Sequence, residues 1–235
     1  MKMKKTLIWA HRGYPAKFPE NSMEGFRYVL DQHVEGIEFD VHLTKDNIPV
    51  IIHDEDIKRT TNGSGNVNKY TLTELKQFKL TNGETIPTLD EFLTLVENKD
   101  VFLNLELKTD KFVYPHIEQI VLSKVNQYHL VHPMIYSSFN IQTILNCQRI
   151  APNEIYCYLR KWPLLRPMHV VEKYHLSGLH LQFYQRIPGV VERIWTVDDP
   201  RRAIKLFNKH VDGIFTNNFE AMRTLRNKMI KSKEM

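Results

Sequence analysis

The most regular alternation in the chain is Gly36-Ile-Glu-Phe-Asp-Val-His-Leu43, where Ile37, Phe39, Val41 and Leu43 interleave with Glu38, Asp40 and His42. A period of two places alternate side chains on opposite faces of a β-strand. A second run, Val101-Phe-Leu-Asn-Leu-Glu-Leu-Lys108, sets Leu103, Leu105 and Leu107 against Asn104, Glu106 and Lys108. The hydrophobic pattern predicts eight main strands, at 6–11, 36–43, 101–108, 134–137, 154–159, 178–183, 193–197 and 212–216. Between them it predicts helices at 23–32, from Thr71 or Thr73 to Phe78, and at 88–97, 115–127, 140–150, 166–175, 199–209 and 218–230. Asn21 or Ser22 is placed to cap the first helix. A short extended stretch, Pro49-Val-Ile-Ile52, leads into His53-Asp54, and the turn-rich residues 55–70 form a functional loop or a small insertion.

Strands that alternate with helices over 235 residues predict an α/β fold of the TIM (β/α)8 barrel type, at the compact end of its size range and in one domain, 1–235. A doubly wound open sheet is the alternative, without a G-x-G-x-x-G or P-loop to support it. The sixth unit is abnormal. About nine residues, Tyr184 to Glu192, separate its strand from the next, too few for a full helical crossover. The outward apolar residues Leu179, Leu181 and Ile194 then need other cover, either from the flanking helices or from a second subunit, so a homodimer is expected.

Composition changes this picture little. Hydrophobic residues make up 42% and charged residues 25%, enough for a sizeable core. The net charge of +5 suits an anionic substrate, but no basic stripe interleaved with aromatics suggests nucleic-acid binding. Cys147 and Cys157 show no metal or redox spacing and are expected to be reduced core thiols. Thr6 to Ala10 is too short for a signal-peptide apolar segment, and no run approaches a membrane span. A cytoplasmic protein without stable membrane insertion is expected.

The chemistry gathers at predicted strand ends, where TIM barrels carry their sites. His11 and Arg12 close the first strand, Glu38 and Asp40 lie in the second, His53 follows it, and Glu106 and Lys108 end the third. An isolated Glu-x-Asp pair is more often a solvated strand face, and an isolated Lys108 a snorkelling surface residue. Three carboxylates together repel one another unless a cation lies between them. Together with two imidazoles they fit a divalent cation and an acid–base pair.

His11-Arg-Gly13, Pro19-Glu-Asn-Ser22, Gly36-Ile-Glu-Phe-Asp-Val41, Val50-Ile-Ile-His-Asp54, Arg59-Thr-Thr-Asn-Gly63 and Leu105-Glu-Leu-Lys108 form an ordered set that resembles the glycerophosphodiester phosphodiesterase family. Ser138-Phe139, Trp195-Thr-Val197 and Asp212-Gly-Ile-Phe-Thr216 extend it to about residue 219. The resemblance implies a TIM barrel with a small insertion after strand two, here 54–87. It also implies metal-dependent hydrolysis of small-molecule glycerophosphodiesters to sn-glycerol 3-phosphate and an alcohol, a reaction of lipid and glycerol metabolism. By the same resemblance Glu38, Asp40 and Glu106 hold Ca²⁺ or Mg²⁺, and His11 and His53 are general base and acid. Arg12 and Lys108 bind phosphate, and Phe139 and Trp195 flank the glycerol or the leaving group. Glu20 would cap a helix or orient His11. Asp198 departs from the family's W-T-V-N pattern. Competing readings are a phospholipase D-like or phosphoinositide-lyase-like barrel acting on lipid head groups, for which no membrane-inserting apolar segment is evident, and a non-catalytic phosphoester-binding barrel.

Overall fold

The computed structural model describes residues 5–234, so the start of the basic N-terminal run and the last residue of the lysine-rich end lie outside the described residues. In chain order the elements are β1 (Leu7–His11), α1 (Met23–Asp31), β2 (Gly36–Leu43), β3 (Pro49–Ile51), α2 (Leu72–Leu75), α3 (Leu89–Val96), β4 (Phe102–Leu107), α4 (Ile117–Val125) and β5 (Ile135–Ser138). There follow α5 (Ile141–Ile150), β6 (Ile155–Arg160), α6 (Pro167–Lys173), β7 (Gly178–Leu181), β8 (Val191–Ile194), α7 (Pro200–Asn208), β9 (Gly213–Thr216) and α8 (Phe219–Glu234). Eight strands run parallel in the order β1-β9-β8-β7-β6-β5-β4-β2, and β1 pairs with β2 to close the barrel. The ninth, β3, pairs antiparallel with the far end of β2, matching Val41 with Ile51.

The alternation along β2 divides its side chains between two environments. Ile37, Phe39 and Val41 point outward into the layer between strands and helices, where Phe39 and Phe26 of α1 both pack on Phe92 of α3 at ring distances of 4.3 and 4.6 Å. Burying each such side chain contributes about 1.5–3 kcal/mol. Glu38 and Asp40 take the opposite face, toward the barrel axis. The floor of the barrel is apolar, built from Trp9, Ile135, Cys157 and Phe215. Gly36 makes room for that floor, because a Cβ there would sit 2.4 Å from the Trp9 indole. Both cysteines are free and buried.

Two expectations shift on inspection. The strand expected at 193–197 occupies 191–194, so Trp195 lies beyond its end. The short helix expected to reach Phe78 is one turn, Leu72–Leu75, held by a reciprocal Thr71–Glu74 cap. It belongs to a segment, 54–87, with a small apolar centre of its own around Ile57, Val67, Leu75 and Ile86.

The crossover between β7 and β8 carries no helix. Leu179, Leu181 and Ile194 are nevertheless buried, in a core to which both the flanking helix α7 and the crossover contribute. The crossover's Ile187 enters the core, backed by Tyr184 and Val190. The Glu192 carboxylate pins the loop by accepting from the backbone N–H of Ile187 at 2.6 Å and of Gln185 at 2.9 Å. The buried strands therefore supply no reason for a second subunit. No helix among the described residues is long and apolar enough to cross a membrane.

Candidate active site

Strand register brings the carboxylates together. β1 aligns His11 with Glu38, and β4 aligns Glu106 with Asp40. Glu38, Asp40 and Glu106 are all buried, and one oxygen of each lies within 4.8 Å of the others. Two cations border them. Arg12 Nε stands 3.2 Å from Asp40 Oδ2, and Lys108 Nζ stands 2.7 Å from Glu106 Oε1 and 3.6 Å from Asp40 Oδ1. Asn21 Nδ2 donates to Asp40 Oδ2 at 3.0 Å. Arg12 is held in a left-handed conformation, φ 54°, with its N–H bonded to the Glu38 carbonyl at 2.9 Å and to Glu38 Oε2 at 3.1 Å. A non-glycine residue adopts that conformation only where its surroundings hold it there.

The charges follow from burial and proximity. Burial raises Asp40's pKa, but the Arg12 guanidinium above all, with Lys108, outweighs it and keeps Asp40 far below the usual carboxylate range. Glu38 is pushed well up by burial and then by Asp40 and Glu106. Glu106 also rises, by burial first and against the pull of Lys108. An all-oxygen, all-carboxylate donor set suits a hard divalent cation. Asp40 Oδ1, buried and without a hydrogen-bond partner, is an open ligand atom in the middle of it. The three carboxylates could hold a metal.

Each histidine has its own support. Asn217 Nδ2 donates to Asp198 Oδ2 at 2.6 Å, which turns Asn217 Oδ1 toward His11 Nδ1 at 2.8 Å. His11 must therefore donate from Nδ1, leaving the Nε2 lone pair free, 3.8 Å from Glu38 Oε2. Burial, then Arg12, lowers His11's pKa to about 4, so the ring is neutral at neutral pH. His53 Nδ1 donates to Asp54 Oδ1 at 2.6 Å. Burial raises the Asp54 carboxyl, but hydrogen bonds from Arg59 and His53 prevail and hold it at about 2. Arg59 also grips Glu20 at 2.7 and 2.8 Å, and Glu20 reaches Arg12 at 3.1 Å. Glu20 thus orients the two arginines; it caps no helix, a role that falls to Ser22. The His53 carbonyl accepts from His42 Nε2 at 3.0 Å, and His42 Nδ1 accepts from the Tyr114 hydroxyl at 2.7 Å.

A cavity of about 130 Å³ opens beside these groups, lined by His11, Arg12, Glu38, His53, Glu106, Phe139 and Trp195. The Phe139 and Trp195 rings meet edge to face at 5.4 Å. Of the nine residues singled out from the sequence, seven line the cavity. The other two, Asp40 and Lys108, complete its carboxylate wall. Sequence reasoning missed Asp198–Asn217 behind His11, Asp54–Arg59 behind His53, and His180 and Asn104 deeper in the cavity. Asp54 and Arg59 lay inside quoted motifs, but nothing in the local pattern pairs Asn217 with a histidine 206 positions away.

Residues 11–221 match the family described as glycerophosphoryl diester phosphodiesterase. The chain is 35% identical to a glycerophosphodiester phosphodiesterase of Caldanaerobacter subterraneus, covering 94% of this chain and 98% of that one. It is 31% identical to one from Bacillus altitudinis, covering 90% and 94%. Among solved structures, a phosphodiesterase from Oleispira antarctica in complex with the product sn-glycerol-3-phosphate superposes with a TM-score of 0.89 at 27% identity, over 95% of this chain and 97% of that one. With that barrel, that matched span and those relatives, the chain is an enzyme of the glycerophosphoryl diester phosphodiesterase family.

Proposed function

We propose that the protein hydrolyses glycerophosphodiesters to sn-glycerol 3-phosphate and an alcohol, with a divalent cation, Ca²⁺ or Mg²⁺, held by Glu38, Asp40 and Glu106. The observation that carries the proposal is the buried carboxylate triad, its oxygens within 4.8 Å, bordered by Arg12 and Lys108 and by two supported histidines. The cation would supply positive charge to a phosphate oxygen. Arg12 and Lys108, fixed by their carboxylates, bind the remaining phosphate oxygens and stabilise the charge gathered at the transition state. His11 Nε2 takes a proton from the attacking water, and the new P–O bond forms. His53, acting as the imidazolium with its Nδ1–H on Asp54, gives the Nε2 proton to the departing alkoxide as the old P–O bond breaks. Phe139 and Trp195 flank the glycerol or the leaving group, where their rings exclude water.

The test is release of sn-glycerol 3-phosphate from several glycerophosphodiesters, before and after EDTA treatment. Release that ceases on chelation and returns with added Ca²⁺ or Mg²⁺ is expected. Undiminished release after complete metal removal would refute the metal's role, and no release from any glycerophosphodiester would refute the substrate class.

A further inference from the structure

The described residues expose eight large hydrophobic side chains, and five of them, Val113, Trp162, Leu165, Met168 and Phe183, lie at the end of the barrel where the site opens. Leu165 is 97% exposed and Trp162 65%. Single exposed apolar residues are ordinary, but a cluster on one face marks an interaction surface. Trp162 and Leu165 sit in the loop between β6 and α6, and Phe183, 49% exposed, begins the helix-free crossover after β7. The two loops are one structure. The Gln182 N–H donates to the Arg160 carbonyl at 3.1 Å, and the Gln185 side chain bonds both the N–H and the carbonyl of Leu164, at 2.9 and 2.8 Å. The helix that follows, α6, fully buries none of its side chains, with Val170 and Val171 half-buried against the core. The surface is also close to the chemistry, since Leu159, two residues before Lys161, lines the active-site cavity.

The exposed charge on the two joined loops has one sign. Lys161 and Arg166 are exposed on the first loop and Arg186 on the second, and neither loop contains an acidic residue. Protruding Trp and Leu flanked by Lys and Arg is the chemistry of a surface that enters the headgroup layer of an anionic bilayer, with rings and aliphatic tips among the upper acyl chains and cations among the phosphates. We propose that the joined loops 160–168 and 182–188 adsorb the protein reversibly to anionic phospholipid membranes, with the mouth of the active site beside the lipid surface. This is attachment to one leaflet, without a spanning segment.

The full chain is tested by co-sedimentation with unilamellar vesicles of phosphatidylcholine alone, or of phosphatidylcholine mixed with phosphatidylglycerol. Partitioning to the anionic vesicles should exceed that to the neutral ones at least about tenfold, and should fall as salt is raised. Of the three tryptophans, Trp9 is fully buried and Trp195 packs edge to face on Phe139 inside the cavity, so most of a blue shift of tryptophan emission on binding should be lost in Trp162→Phe. Leu165→Glu and the double variant Arg166→Glu/Arg186→Glu should each lose at least about tenfold in partitioning while keeping thermal stability and turnover of a water-soluble diester. Equal binding of the variants would place the attraction elsewhere on the basic surface and overturn the proposal, as would equal binding to both vesicle types. Light scattering that finds a dimer dissolved by Trp162→Ser/Leu165→Ser would assign the face to a second copy instead, and also overturn it.

Discussion

Asp198 should control the protonation pattern of His11 from two residues away in the hydrogen-bond chain. The Asp198 carboxylate only accepts. It takes the Thr216 hydroxyl at 2.9 Å and the Asn217 N–H at 2.8 Å on one oxygen, and the Asn217 side-chain amide at 2.6 Å on the other. In Asp198→Asn one oxygen can still serve the first two donors, which leaves an NH₂ facing the NH₂ of Asn217. Asn217 then turns over and presents its own NH₂ to His11 Nδ1. The ring must accept there, which moves its proton to Nε2 and removes the free lone pair. To act as a base His11 has to recover the other tautomer and give up a hydrogen bond, a cost of about 1–3 kcal/mol for a buried group. Asp198 is open to water, so the lower half applies, about 1–1.5 kcal/mol, or roughly 5- to 15-fold in kcat. The assay is initial-rate release of sn-glycerol 3-phosphate, with KM and thermal midpoint measured alongside; both should hold steady. The swap Asp198→Asn/Asn217→Asp restores the order of donors and acceptors and should recover most of the lost rate. A single variant with wild-type kcat, or a double variant no better than the single, would refute this reading of the chain.

Glu38→Gln, Asp40→Asn and Glu106→Gln should each weaken cation binding and sharply reduce turnover. In the wild type, cation at about a hundred times its Kd should add about 2.7 kcal/mol and roughly 5–10 °C to the melting temperature, a gain the variants should largely lack in calorimetry. Arg12→Met and Lys108→Met should chiefly weaken binding of inorganic phosphate, measured by titration, whereas His11→Ala and His53→Ala should lower kcat about 10²–10⁴-fold and leave phosphate binding nearly intact. His180, buried beside Arg193, has its pKa pushed well below the ordinary value by burial and then by that guanidinium. The unfolded chain therefore binds this proton first. Stability is unaffected above pH 6.5 and falls as the pH drops below it, by about 1 kcal/mol between pH 6.5 and 5.5 from this residue. Denaturant melts of His180→Gln should show a shallower loss over that interval, and an unchanged slope would exclude the assignment.

The barrel was legible because strand periodicity carries burial directly. Along β2 and β4 the outward residues are apolar, and beyond the floor that Gly36 and Phe102 meet, the inward ones, Glu38, Asp40, His42, Asn104 and Glu106, are polar, so two short runs announced both the helix-facing core and the carboxylate cluster. What could not be read is what depends on distant pairing. The partners of His11 come from Asp198 and Asn217, the loops after β8 and β9, and they meet it only because barrel closure sets β9 beside β1. The shortened crossover was visible as a residue count, yet its remedy was not. Ile187 fills the space a helix would have filled, and Glu192 replaces helical hydrogen bonding with a carboxylate that gathers loop N–H groups. The exposure of Trp162 and Leu165 was likewise hidden, because an apolar residue in a loop reads the same whether it folds inward or stands out.

The inner charges of the site suggest an order of events. Three carboxylates face two cations, Arg12 and Lys108, which leaves one excess negative charge in a buried place. Burial relieves that excess by favouring a proton on the carboxyls of Glu38 and Glu106, the two whose pKa values rise. A divalent cation displacing such a proton would turn the excess negative charge into an excess positive one. A phosphodiester carries a single negative charge, so it would complete a neutral site after the cation binds and would meet no net attraction before. The transition state gathers more negative charge on the phosphoryl oxygens than the ground-state diester carries, so the positive groups would stabilise it more than they stabilise bound substrate, and that difference is what electrostatic catalysis requires. On this argument the carboxylates would serve two ends, holding the cation and setting the charge at which the site begins to attract its substrate.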